Sequence, residues 1–408
     1  TPTPTLTSTP ILPTPTHTPT LTPAAYIPII ISIDPTSTPT STPTSTPTST
    51  PGPLPECIEP NSNESSLCMV LFSYGEISDS IKADVIESLV TSATTFPLKT
   101  TDIELDSGTY EKVGIYLWNI DDLTIEESEK MSSEISSDIC DFMKDSNPRC
   151  LEYHKNMVEK MKSGAVTGFR PSTKSWIIFI SKGIWNCSYT NQTPKEREIH
   201  VWRCDSRKVT SHEYFHVYTG GHVINSRING PAVETDAPAQ GPIWLSEGIA
   251  EFAANLLAHN SGWLDFKEQL MFKMSDSKTV ALKPPENISI RNIITFTDRK
   301  ELKPKPYFRT LVYYHGSWAA IYAASISSNK SLFIDYYDDI EALGWELSFK
   351  ENIGISIEDF YVQFEEFLNL ESEEHIRVLD KVLADNFLTQ KITIDPVAEL
   401  EKELENND

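Results

Sequence analysis

The stretch VTSHEYFHVYT, Val209–Thr219, decides how the rest of the chain is read. Val209, Phe215 and Val217 give it an apolar side and Gly220-Gly221 stops it, so the span predicts a buried helix. Inside it, His212-Glu213-Tyr214-Phe215-His216 spells H-E-x-x-H. Residues four apart on a helix share one face, so both imidazoles can reach a single metal ion at about 2.0–2.1 Å. Glu213 stands beside the first histidine without sharing its geometry, which places it to act on a water at that ion. A buried pair of imidazoles needs polar partners, and an ion would be one.

The second informative stretch is WLSEGIAEF, Trp244–Phe252. It lies in a predicted helix, Ile243–His259, in which Leu245, Ile249, Phe252 and Leu256 fall on one apolar face. Glu247 and Glu251 are again four apart. Alone, they read as a solvated acidic face. Paired carboxylates on a partly buried helix are costly unless a cation faces them. With H-E-x-x-H upstream, the reading that removes this cost makes Glu247 a third ligand and sets Glu251 behind a ligand histidine.

H-E-x-x-H followed by W-L-x-E-G-x-A-E-[FY] resembles the gluzincin metallopeptidases, the clan that includes thermolysin, and is closest to the peptidase MA-like domains. The resemblance covers roughly residues 176–370. It implies an α+β, thermolysin-like catalytic domain and one zinc ion held by His212, His216 and Glu247. It also implies Glu213 as general base and Glu251 supporting a ligand from behind. Aminopeptidases of the clan carry a Y-x-K-G motif whose tyrosine hydrogen-bonds the tetrahedral intermediate. Here Tyr313-Tyr314-His315-Gly316 lies at that place, making Tyr313 the candidate oxyanion donor and His315 a second candidate or a histidine satisfied by packing. Histidine replaces the motif's lysine, the gap between His216 and Glu247 is longer, and no G-x-M-E-N segment is present. The resemblance therefore implies hydrolytic machinery, with an endopeptidase preferred over an aminopeptidase. Zinc lowers the pKa of a bound water from about 15.7 toward 7, and a glutamate in the place of Glu213 relays the proton to the leaving amine.

Outward from these helices, Cys68–Tyr74, Lys112–Trp118 and Ser175–Ile180 read as strands. Ile81–Val90 and Glu126–Met143 read as helices, as do Tyr313–Ser325 and Ile357–Leu370. The expected organisation is a Thr/Pro-rich stalk at 1–55, an α/β subdomain at 56–207, a helical catalytic subdomain at 208–370 and an acidic helical tail at 371–408. The stalk cycles T-S-T-P through Thr36–Pro51, a composition that favours extended polyproline II over a core. Its one apolar patch, Tyr26–Ile33, is too short to span a bilayer, and no other run reaches that length.

The net charge is −24, and only Asp34 is charged before Glu56. So acidic a body argues against nucleic acid and anionic membranes and is consistent with a soluble chain. Six cysteines without a C-x-x-C pair suit disulfides, and short loops favour Cys57–Cys68, Cys140–Cys150 and Cys187–Cys204. Stalk and cysteines together predict a secreted or surface-attached monomer, bacterial in character, acting on protein or peptide. The alternative is a degenerate gluzincin fold used for surface binding or adhesion. His154 and His375 read as solvent-facing and His222 as a surface-loop residue. The Asn-x-Ser/Thr triplets, Asn329-Lys-Ser among them, carry little weight.

Overall fold

Four short strands, three of them parallel and rich in apolar residues, form the sheet of the fold. The structure, a computed structural model, describes residues 68–97, 112–119, 123–143, 147–160, 165–170, 175–181, 206–223, 239–280, 282–385 and 387. All of them belong to one compact unit, Leu54–Asp408. The stalk, its apolar patch and the Cys57–Cys68 and Cys187–Cys204 pairings lie outside what can be described.

Strands β1 (Cys68–Tyr74), β2 (Lys112–Trp118), β3 (Ala165–Arg170) and β4 (Ser175–Ser181) form one sheet in the order β1-β2-β4-β3. β1, β2 and β4 run parallel, and β3 pairs antiparallel with β4 at the edge. Successive side chains on a strand point to opposite faces. Met69, Val113, Ile115, Leu117, Ile178 and Ile180 therefore enter one core, with α1 (Asp79–Thr95). Val70, Phe72, Tyr116 and Trp118 enter a second, with α2 (Ile125–Phe142) and α3 (Pro148–Lys160). Covered on both sides, β2 is buried from Val113 to Trp118, as its unbroken apolar run requires. Cys140 and Cys150 form the expected disulfide between α2 and α3.

The helical part begins with α4 (Ser206–Gly221) and α5 (Ile243–Asn260), followed by α6 (Phe266–Ser277) and the short α7 (Phe296–Leu302). A π-helical turn, Thr310–His315, runs straight into α8 (Gly316–Ile326). α9 (Tyr336–Leu343), α10 (Trp345–Ile353), α11 (Ile357–Leu368) and α12 (Ser372–Leu383) complete it. The fold is α+β with helix dominant, and one core cluster runs from the sheet into these helices.

Serines let α4 approach α1: Ser211 Oγ lies 2.8 Å from Ser88 Oγ and 3.1 Å from Ser92 Oγ. The Tyr214 hydroxyl donates to the Phe96 carbonyl at 2.9 Å. Phe215 and Tyr218 pack among Phe96, Phe333 and Tyr337. These contacts fix the rotation of α4, leaving His212 and His216 to face α5.

α5 meets α8 through two glycines. A Cβ on Gly248 would sit 2.9 Å from Gly316 Cα and nearer still to its carbonyl; one on Gly316 would sit 2.7 Å from the Trp244 carbonyl oxygen. Glycine in the W-L-S-E-G and Y-Y-H-G stretches is thus demanded by backbone approach. Overpacking a tight core costs about 1–3 kcal/mol, and backbone cannot move aside as a side chain can. We expect Gly248→Ala to lose at least that much stability in urea denaturation; a change under about 0.5 kcal/mol, the range of an ordinary surface substitution, would contradict the crossing.

Three histidine expectations are corrected. His375 is fully buried, with Nε2 2.9 Å from the Phe367 carbonyl and its ring against Trp318 and Phe367. His154 and His222 are buried too, His222 with Nδ1 3.5 Å from Asp338. The charged sequence neighbours of His154 and His375 occupy other faces of the same helices, so local charge misreports burial. His222 sits in the turn just past α4 and is buried by packing against Tyr218 and Tyr337. α12, placed in the acidic tail, packs through His375, Leu379 and Val382. Asn329 is also buried, donating its side-chain amide to the Val382 carbonyl at 3.0 Å, so the acceptor side chain of that triplet is inaccessible.

Candidate metal centre and active site

α4 and α5 bring three ligand-type atoms together. His212 Nε2 and His216 Nε2 are 3.2 Å apart, and each lies 3.4 Å from Glu247 Oε2. Four-coordinate zinc with bonds of about 2.0–2.1 Å has a tetrahedral edge of about 3.3–3.4 Å. The triangle therefore has the size of one face of a zinc tetrahedron. Among the described residues, His212, His216 and Glu247 are the group of histidines, cysteines and acids that could hold an ion. All three come from the two stretches that open the sequence reading.

Behind this triangle stands Glu251, 5 % exposed. Its Oε2 lies 3.3 Å from His212 Nδ1, the nitrogen turned away from the triangle, although without the alignment of a full hydrogen bond. Its Oε1 takes Lys208 at 2.5 Å and also contacts Lys273. Glu247 is divided in the same way: Oε2 faces the histidines, and Oε1 lies 3.4 Å from Arg299 Nη1 on α7. The loop before α7 is held against the start of α5, where the Ile243 and Trp244 amides donate to Ile294 and Ile293.

Charge follows this arrangement. Burial opposes ionisation of Glu247, but the hydrogen bonds and charges of both histidines outweigh it and hold its carboxyl well below the usual range. Glu251 is likewise held low against burial, by Lys208 and Lys273 and then by His212. Burial disfavours the charged form of His212, yet Glu247 and Glu251 raise it to about 9 without an ion. An ion would have to displace that proton, since a ligating imidazole is neutral.

Glu213 is buried on α4 beside His212, and its charge acts on both His212 and Tyr313. Tyr313 comes from the π-helical turn, its ring centroid 6.4 Å from that of His212. The Glu247 charge and then burial push its phenol up, which keeps it protonated and able to donate. His315, two residues on, points elsewhere. It lines a cavity of about 730 Å³ with Met274, Ile288, Arg291 and Leu368, whose lining includes no residue of the triangle. Burial lowers its pKa to about 4, so it is neutral. Nothing described places His315 beside Tyr313 as an oxyanion donor. Two residues apart on a helical turn face nearly opposite ways, which explains the split.

Residues 205–340, about a third of the chain, match the M61 glycyl aminopeptidase family, a metallopeptidase family of gluzincin type. This chain is a peptidase. The match begins at the foot of α4 and takes in both motif helices, the π-helical turn and α8. No curated protein matches the chain. The peptidase carries three cations that the sequence reading passed over: Lys208, Lys273 and Arg299. Lys208 was legible in principle, one turn before His212 on the same helix face. Lys273 and Arg299 arrive from α6 and α7, and no local pattern announces them. Among the described residues, no helix of the peptidase is long and apolar enough to cross a membrane.

Proposed function

We propose that this chain is a zinc-dependent endopeptidase that works outside the cytoplasm on protein or peptide substrates. The single observation that carries the reading is the near-equilateral triangle of His212 Nε2, His216 Nε2 and Glu247 Oε2. Zinc bound there supplies Lewis acidity and makes water available as a nucleophile near neutral pH. The remaining chemistry belongs to the side chains. Glu213 accepts the proton of the attacking water and delivers it to the departing amine nitrogen as the C–N bond breaks. Tyr313, held protonated, donates a hydrogen bond to the substrate carbonyl oxygen as charge develops on it, a contact worth about 3–4 kcal/mol. The Cys140–Cys150 disulfide supports an oxidising compartment, and the Thr/Pro-rich segment supports display or secretion.

A second reading, removal of amino-terminal residues, is favoured by the name of the matched family, glycyl aminopeptidase. One assay separates them: a peptide mixture with free amino termini and the same mixture amino-acetylated. Internal cleavage of both, abolished by a chelator and restored by zinc, is expected. Cleavage lost on acetylation favours the aminopeptidase, and cleavage that persists after chelation contradicts the zinc.

A further inference from the structure

Glu251 differs from an ordinary carboxylate behind a histidine in how its two oxygens are used. Both buried ammonium groups, Lys208 from α4 and Lys273 from α6, contact Oε1, and His212 Nδ1 faces Oε2. A carboxylate can rotate about its last bond and exchange its oxygens, so one contact does not settle which oxygen a neighbour meets. Two cations on a single oxygen, delivered by two helices, do settle it. We infer that Lys208 and Lys273 are positioning residues of the metal site: by holding Glu251 Oε1, they aim Oε2 at His212 Nδ1 and so fix Nε2 as the nitrogen His212 offers to an ion.

The chemistry is that of tautomer selection. A neutral imidazole carries its proton on one nitrogen, and the hydrogen bond made by that nitrogen decides which one ligates. Glu251 can face the proton on His212 Nδ1 only while its carboxylate is correctly turned, and two ammonium groups on its other oxygen keep it so. Lys273 also lies 6.0 Å from the ring centroid of Tyr314, joining the clamp to the π-helical turn that carries Tyr313. The inference rests on the zinc reading above.

The test uses the full chain, Lys208→Met and Lys273→Met, the methionines keeping the length of the stem without the charge. Zinc affinity, measured by chelator competition, is expected to fall about 10–100-fold, the usual loss when a group behind a ligand is removed. The ¹⁵N spectrum of His212 in the zinc-loaded parent should show Nδ1–H, and that signature should weaken in the variants. Methionine variants that lose thermal stability but keep parental zinc affinity and His212 spectrum would make the lysines mere charge balance and overturn the inference. If neither variant folds, the zinc-loaded parent decides: both ammonium groups on Glu251 Oε1 in a crystal structure support it, and either one turned to solvent overturns it. A parent that binds no zinc overturns the zinc reading itself, an outcome distinct from variants that bind it normally.

Discussion

Glu213→Gln is expected to lower peptide-hydrolysis kcat by about 10²–10⁴-fold, the range of a positioned general base, while leaving fold and zinc content unchanged. The substitution keeps the size of the side chain and removes only its ability to accept a proton. Because Glu213 lies outside the triangle, the ligand set is intact. Tyr313→Phe is the companion: removing one oxyanion donor should cost about 10²–10³ in kcat, with KM little changed. Steady-state kinetics on a defined peptide, with zinc content measured in the same sample, checks both. Parental turnover in Glu213→Gln would remove it from the chemistry.

The largest stability effect is expected from Glu251→Ala. The side chain is buried, and its removal takes from Lys208 and Lys273 the carboxylate oxygen they share. Breaking a buried pair by deleting one partner costs about 3–5 kcal/mol, a large part of a domain's net stability. Zinc affinity should fall as well, because His212 Nδ1 loses its carboxylate. Glu251→Gln should be milder in stability, since it keeps the shape and one acceptor for the lysines. Urea denaturation with and without zinc reads both effects. An Ala variant within about 1 kcal/mol of the parent would show that the cluster is wetter than its burial implies.

How much of this was legible follows from where each signal resides. H-E-x-x-H and W-L-S-E-G write their chemistry into helical spacing, so His212, His216 and Glu247 could be assembled on paper before any fold was known. β1, β2 and β4 were legible because apolar runs bounded by polar residues are strand-like whatever surrounds them. α3 and β3 were missed for local reasons. Pro148 reads as a stop, yet it is the first residue of α3, where a missing amide hydrogen costs nothing. Ala165–Arg170 is short and interrupted by Gly168. The helix expected from Tyr313 begins three residues earlier as a π-helical turn, which apolar periodicity alone does not distinguish from an α-helix. The glycines at 248 and 316 were visible as letters, but their reason is a crossing between helices far apart in sequence. The same holds for Lys273 and Arg299. Charge partners of a buried carboxylate are chosen by the tertiary fold, and the sequence around them is ordinary.

The most direct measurement is zinc per chain by elemental mass spectrometry, on the parent and on folded His216→Ala. The account predicts one zinc in the parent and a large loss in the variant, with circular dichroism unchanged. A parent without zinc after loading, or a variant that keeps it, would contradict a single ion gripped by α4 and α5.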